Sequence, residues 1–185
     1  PARERLAGLG EVAKYAFLGA PGLERLPLEE QVAAGVAIKA RFVEADERER
    51  SGRRALLNYG HTLAHAIEAW GYSKQPPDAE EPPAPGLLHG EAVATGLYFA
   101  ARLARRLGRI NDERVREHDE VLSAYGLTPL LPADAGPDEL VAYMRRDKKA
   151  RDGLSFVLDG PRGIEVVEGV GEAPVCATLE AMVGS

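Results

Sequence analysis

From Arg5 to Leu18 the residues Leu6, Leu9, Val12, Ala13, Ala16 and Phe17 recur at three- and four-residue intervals, which places them on one face of a helix. Four more segments behave in the same way, and together they set the fold class. The spacing predicts helices over about Leu28 to Glu47, Arg54 to Trp70, His89 to Leu107 and Asp112 to Tyr125. The second of these carries Val32, Val36, Lys39, Ala40 and Val43 on neighbouring turns and ends in a charged tail. Gly19 and Pro21 end the first helix and Ser51-Gly52 breaks the second. Gly71, Gly108 and Gly126 are expected to close the other three, because glycine accepts the left-handed conformation that stops a helix.

Farther along, Pro137 to Arg146 has the proline-then-acid start of another helix, and Pro174 to Val183 reads as a closing one. Between them, Leu154 to Leu158 and Ile164 to Val167 suggest a small β-hairpin turning across Asp159 to Gly163. Ser73 to Gly86 is rich in Pro, Glu and Ala, continues neither neighbouring helix, and is expected to be a mobile surface loop. The chain therefore reads as a mainly α, multi-helix domain with one small C-terminal β-hairpin. At 185 residues and 45% hydrophobic content it is expected to form a single domain around one core.

A net charge of −6 argues against a nucleic-acid partner, which would need a basic face. It also means that a phosphorylated substrate would have to be held by a local cluster of Lys and Arg inside a cleft. No apolar run approaches the roughly 20 residues that span a bilayer, so no membrane partner is expected. The single cysteine, Cys176, suits a reducing cytoplasm and is expected to be a small buried apolar residue. The chain begins at Pro1-Ala2-Arg3, without Met and at what looks like the entry to a helix, which reads as a truncation.

Asn58-Tyr59-Gly60-His61-Thr62-Leu63-Ala64-His65 puts His61 and His65 four residues apart, one turn apart on the same helical face. His89 opens the next predicted helix within His89-Gly90-Glu91, and Glu11 lies on the first within Gly10-Glu11-Val12. Imidazoles and a carboxylate, set among small residues that let helices approach, suit zinc or a similar first-row ion. The competing reading is hydrogen-bonded or solvent-facing imidazoles, with Glu11 and Lys14 as a surface pair three residues apart. The spacing does not match the HExxH pattern. His118, flanked by Glu117, Asp119 and Glu120, is expected to be exposed; Tyr59, Trp70, Tyr98 and Phe99 read as packing residues.

The strings GLGEVAKY, KARFVEADERE, RALLNYGHTLAHAIE, LLHGEAVATGL and DKKARDG, in this order, resemble the C-terminal half of 3-dehydroquinate synthases from residue 8 to about 153. The resemblance implies Zn2+ or Co2+ held by Glu11, His61 and His89, with His65 near the reacting substrate. It further implies that Lys14, Lys39, Arg54, Asn58 and one of Lys148 or Lys149 face the substrate's carboxylate, hydroxyls or phosphate. His65, Lys14 and Asn58 would be the catalytic set. That family converts a phosphorylated keto acid to 3-dehydroquinate in the shikimate pathway, using NAD bound mainly by an N-terminal domain, and commonly works as a homodimer. The isolated C-terminal half would then be inactive, or nearly so.

Several features depart from the family pattern. Ala64 stands where the family usually has Gly, and the stretch from Arg48 to Arg54 looks one residue long, so Arg53 competes with Arg54 for the substrate position. No GxGxxG strand-turn-helix segment is present to seat NAD. Related sugar-phosphate cyclases making aminodehydroquinate, deoxy-inosose or epi-valiolone share the metal motif. A helical binding module that has lost catalysis is the alternative from outside enzymology.

Overall fold

The computed structural model describes residues 2–48, 50–74, 86–147 and 153–183. Among these the elements run α1 (Ala2–Phe17), a 3-10 turn (Leu23–Arg25), α2 (Leu28–Ala45), a second 3-10 segment (Arg54–Asn58) and α3 (His61–Ser73). There follow α4 (His89–Arg106), α5 (Asp112–Ala124), α6 (Pro137–Asp147), β1 (Leu154–Leu158), β2 (Glu165–Val170) and α7 (Glu172–Val183). The fold is thus the mainly helical one with a single hairpin that the periodicity predicts. No helix among the described residues is long and apolar enough to cross a membrane.

α4 is the central helix. Twelve of its 18 residues are buried, far more than a single amphipathic stripe would cover, so it must be packed on several sides. α1, α3, α5, α7 and β1 all lie against it. The main core joins Leu63 and Ile67 of α3, Val93, Leu97, Phe99 and Leu103 of α4, Leu122 of α5, Leu140 and Met144 of α6, Leu154, Phe156, Val157 and Leu158 of β1 and Leu179 of α7. A smaller cluster of Tyr15, Ala16, Leu18, Leu23 and Ile38 joins α1 to α2.

The predicted helix over Arg54 to Trp70 is in fact two elements. Gly60 lies at φ 83°, and a Cβ there would come within 3.0 Å of α4 backbone, so the chain breaks where α4 allows only glycine. α3 then continues through Gly71, which does not close it, to Ser73, whereas Gly108 and Gly126 do follow their helices with positive φ. The valine face of α2 is also reversed from expectation. Val32 and Val36 are exposed, and the helix instead buries Gln31, Gly35 and Ile38, with the Gly35 position against the Tyr15 ring.

In the hairpin, Phe156 pairs with Val167 and Leu158 with Glu165, and a bulge carries β2 three residues beyond the expected end so that Val170 meets Leu154. Cys176 is only half buried, its thiol directed at the Asp138 carboxylate 3.7 Å away. The central part of the expected loop, residues 75–85, and Lys148 and Lys149 lie outside the described residues.

Candidate metal centre

Each of the three residues expected to bind metal sits beside a glycine at a backbone-to-backbone contact. A Cβ on Gly10 would fall 1.9 Å from the Gly90 carbonyl oxygen, and one on Gly90 only 1.6 Å from that of Ala7. Glu11 and His89 flank this crossing of α1 and α4. Likewise a Cβ on Gly96 would fall 1.8 Å from the Gly60 carbonyl oxygen, so α4 touches the chain one residue before His61. The absence of side chains at these crossings brings three separate elements close enough for their neighbours to meet.

They do meet. Ligand atoms of Glu11, His61 and His89 all lie within 4.8 Å of one another. The Nε2 atoms of His61 and His89 stand 3.1 and 3.3 Å from Glu11 Oε1. That oxygen is buried and makes no hydrogen bond, so these are close approaches without hydrogen-bond alignment. His61 Nδ1 lies 3.1 Å from the Tyr59 carbonyl, which can only accept, so Nδ1 carries the proton. His89 Nδ1 lies 2.8 Å from Glu68 Oε1 and donates to that carboxylate in the same way. With Nδ1 as the donor in each ring, both Nε2 atoms converge on a third electron-rich atom, an arrangement that a cation between them would satisfy.

The distances suit one. Ligands about 2.0–2.1 Å from a tetrahedral zinc stand roughly 3.3 Å from each other, and imidazoles bound through one nitrogen usually donate through the other to a carbonyl or carboxylate. Lys14 Nζ takes the other Glu11 oxygen at 2.8 Å, leaving Oε1 alone for the centre. Burial pushes the Glu11 carboxyl up, but His61 and Lys14 outweigh it and hold the group below the ordinary carboxylate range. Lys14 is nearly fully buried, which pushes its ammonium down, with Glu11 opposing and Lys39 adding to the effect. The surface-pair reading of Glu11 and Lys14 therefore does not hold.

A cavity of about 710 Å³ opens at this centre, lined among others by Glu11, Lys14, Lys39, Arg54, Asn58, His61 and His89. The local cationic cluster expected from the net charge is present. Arg54 lines the cavity and Arg53 does not. His65 is exposed one turn beyond His61, its ring 5.5 Å from the His61 ring, and does not line the cavity. Ala64 is fully buried within the core.

Sequence reasoning missed Glu68, although residues 61, 65 and 68 share one helical face, and that periodicity was the available signal. It also missed Asp46, which shapes the cavity rim by accepting the backbone N–H groups of Arg50, Ser51 and Arg54. These bonds, with that from Ser51 the strongest influence, hold its carboxyl down at about 2. Because the folded value lies below the unfolded one, this support is complete above about pH 4 and lost as pH falls through about 2. Amide exchange at Ser51 and Arg54 is expected to be slow above that window and to rise within it, and Asp46→Asn should speed it at neutral pH.

A model of the family described as "3-dehydroquinate synthase C-terminal" matches residues 8–150. The chain belongs to this family. A protein of Amycolatopsis mediterranei (strain S699), provisionally named an aminodehydroquinate synthase, is 50% identical over 98% of the chain and 48% of its own length. The 3-dehydroquinate synthase of Opitutus terrae is 44% identical over 83% of the chain and 43% of its own length. The chain thus spans about half the length of the curated relatives it matches. Its fold is that of part of a 2-deoxy-scyllo-inosose synthase solved with carbaglucose-6-phosphate, NAD+ and Co2+, at a TM-score of 0.78 and 22% identity, covering 98% of this chain and 52% of that one. A 2-epi-5-epi-valiolone synthase from Streptomyces hygroscopicus with NAD+ and Zn2+ bound gives 0.69 and 23%, covering 100% and 52%.

Proposed function

We propose that this chain is the metal- and substrate-binding half of a 3-dehydroquinate synthase, acting on 3-deoxy-D-arabino-heptulosonate 7-phosphate to give 3-dehydroquinate and phosphate. NAD would be held mainly by an N-terminal domain that completes the cleft. The observation that carries this reading is the convergence of Glu11, His61 and His89 at a cavity lined by Lys14, Lys39 and Arg54. The family membership and the relatives' greater length support it.

Bound Zn2+ or Co2+ would supply Lewis-acid polarisation of a substrate carbonyl and its neighbouring hydroxyls. Lys14 is held by Glu11 with its ammonium at the cavity wall, a fixed donor for a substrate oxygen. Lys39 and Arg54 supply positive charge for the phosphate and carboxylate, and Asn58 offers an amide to a hydroxyl. His65, beside His61 but outside the cavity lining, is assigned to proton relay on the family resemblance. One of Lys148 or Lys149 would complete the anion-holding set. Side chains fixed before substrate arrives can stabilise developing charge without reorganising.

The 50% identity to the Amycolatopsis protein favours a second reading, in which the substrate carries an amino group and the product is aminodehydroquinate. Joining the chain to an NAD-binding half, adding zinc or cobalt and NAD+, and measuring phosphate release from both substrates separates the two. Release from the hydroxylated substrate is expected, with none from the chain alone. Preference for the amino substrate would transfer the assignment to the second reading, and silence on both with metal bound would remove the cyclase reading.

A further inference from the structure

His118 is fully buried, contrary to the exposure expected from its charged neighbours. Its helical partners Arg114 and Leu122, not its sequence neighbours, share its inward face. The ring lies flat on Phe17 of α1, with centroids 4.0 Å apart and planes 4° apart. Nδ1 is 2.7 Å from the Arg114 carbonyl, which can only accept, so Nδ1 bears the proton and Nε2 the lone pair. Tyr59 places its hydroxyl 2.8 Å from that Nε2 and must donate to it. Arg114 is in turn anchored on Asp159 at 2.6 Å, and Asp159 also accepts the Gly160 N–H at 2.8 Å.

Tyr59 is the residue whose carbonyl holds His61 Nδ1, at the break between the second 3-10 segment and α3. Its ring has no exposure and stands edge-on to both Phe17 and His118. One residue thus joins a buried polar chain to the imidazole of the metal centre. We propose that His118 is a positioning residue: by accepting the Tyr59 hydroxyl it fixes the Tyr59–Gly60 backbone, and so the orientation of His61 toward Glu11. This inference rests on the metal reading of Glu11, His61 and His89.

The test is Co2+ titration of the 185-residue chain, read by its visible d–d absorption, with thermal melting of the metal-free protein recorded alongside. Tyr59→Phe keeps the ring and removes only the hydroxyl. It is expected to weaken Co2+ binding about tenfold, as removal of an orienting partner does, and to change the band shape. His118→Leu should do the same, and the double variant should lose no more than either single one. His118→Gln, which restores an acceptor at the Nε2 position, should regain most of the affinity. Unchanged binding and band in Tyr59→Phe overturn the proposal, as does a loss that His118→Gln shares in full, which would mean packing alone. A parent chain that takes up no Co2+ overturns the metal reading and this inference with it, whereas the other two outcomes leave the metal reading standing.

Discussion

Glu11→Ala is expected to lower zinc or cobalt affinity by well over about 100-fold, since loss of even an orienting partner typically costs 10–100-fold and this removes a ligand. His61→Ala and His89→Ala should do likewise, because each supplies one of the converging nitrogens. Glu11→Ala has a second effect that the histidine variants lack. It strips Lys14 of the carboxylate oxygen 2.8 Å from its ammonium, and a buried ammonium left without its acceptor costs about 1–3 kcal/mol or more. Glu11→Gln separates the two: its amide oxygen can still accept from Lys14, so stability should largely return while metal affinity does not. Calorimetric titration with Zn2+ and melting of the metal-free protein read the two effects independently. Undiminished Zn2+ binding in Glu11→Ala would show that the three groups are merely neighbours, and the proposed function would lose its foundation.

The helices were legible in the sequence because their apolar period is local and long. α1, α4 and α5 fall within a few residues of where spacing and glycine stops put them. What the sequence could not reveal depends on partners distant in the chain. The break at Gly60 is imposed by α4 backbone 3.0 Å from its missing Cβ, which no window around residue 60 contains. Val32 and Val36 looked like a core stripe by hydrophobicity, but α2 turns the flatter Gly35 face toward Tyr15. His118 was misjudged because Glu117, Asp119 and Glu120 are adjacent in sequence, whereas on a helix they point elsewhere.

The site divides along the same line. Residue types and spacing suggested His61, His89 and Glu11, and the family strings ranked them above chance. Geometry then supplied the tautomers, through Tyr59 and Glu68, that spacing alone does not carry. Lys14 and Glu11 look like an ordinary exposed helical pair three residues apart. Only the burial of Lys14 against Tyr15 and the cavity wall distinguishes them from one.

The crossing glycines lead to the largest expected effect on stability. In Gly90→Ala the new methyl would have to occupy space 1.6 Å from the Ala7 carbonyl oxygen, an atom of a helix backbone that no rotamer change can move. α1 and α4 must separate, exposing core on both sides, at a cost of at least about 3 kcal/mol. For a chain of this length that corresponds to a melting temperature lower by roughly 6–12 °C. Because Gly90 adjoins His89 and the opposing turn carries Glu11, the same displacement should also pull these two proposed ligands apart and weaken Zn2+ binding in whatever protein remains folded. Gly8→Ala is the matched comparison on α1: nothing lies within 4 Å of the added carbon, so helix propensity alone acts and stability should rise by about 0.5–1 kcal/mol. Opposite signs from the same substitution at Gly90 of α4, inside the crossing, and at Gly8 of α1, outside it, would establish that the proposed metal centre is built on backbone contact. Equal effects would mean that α1 and α4 do not cross as closely as their glycines indicate.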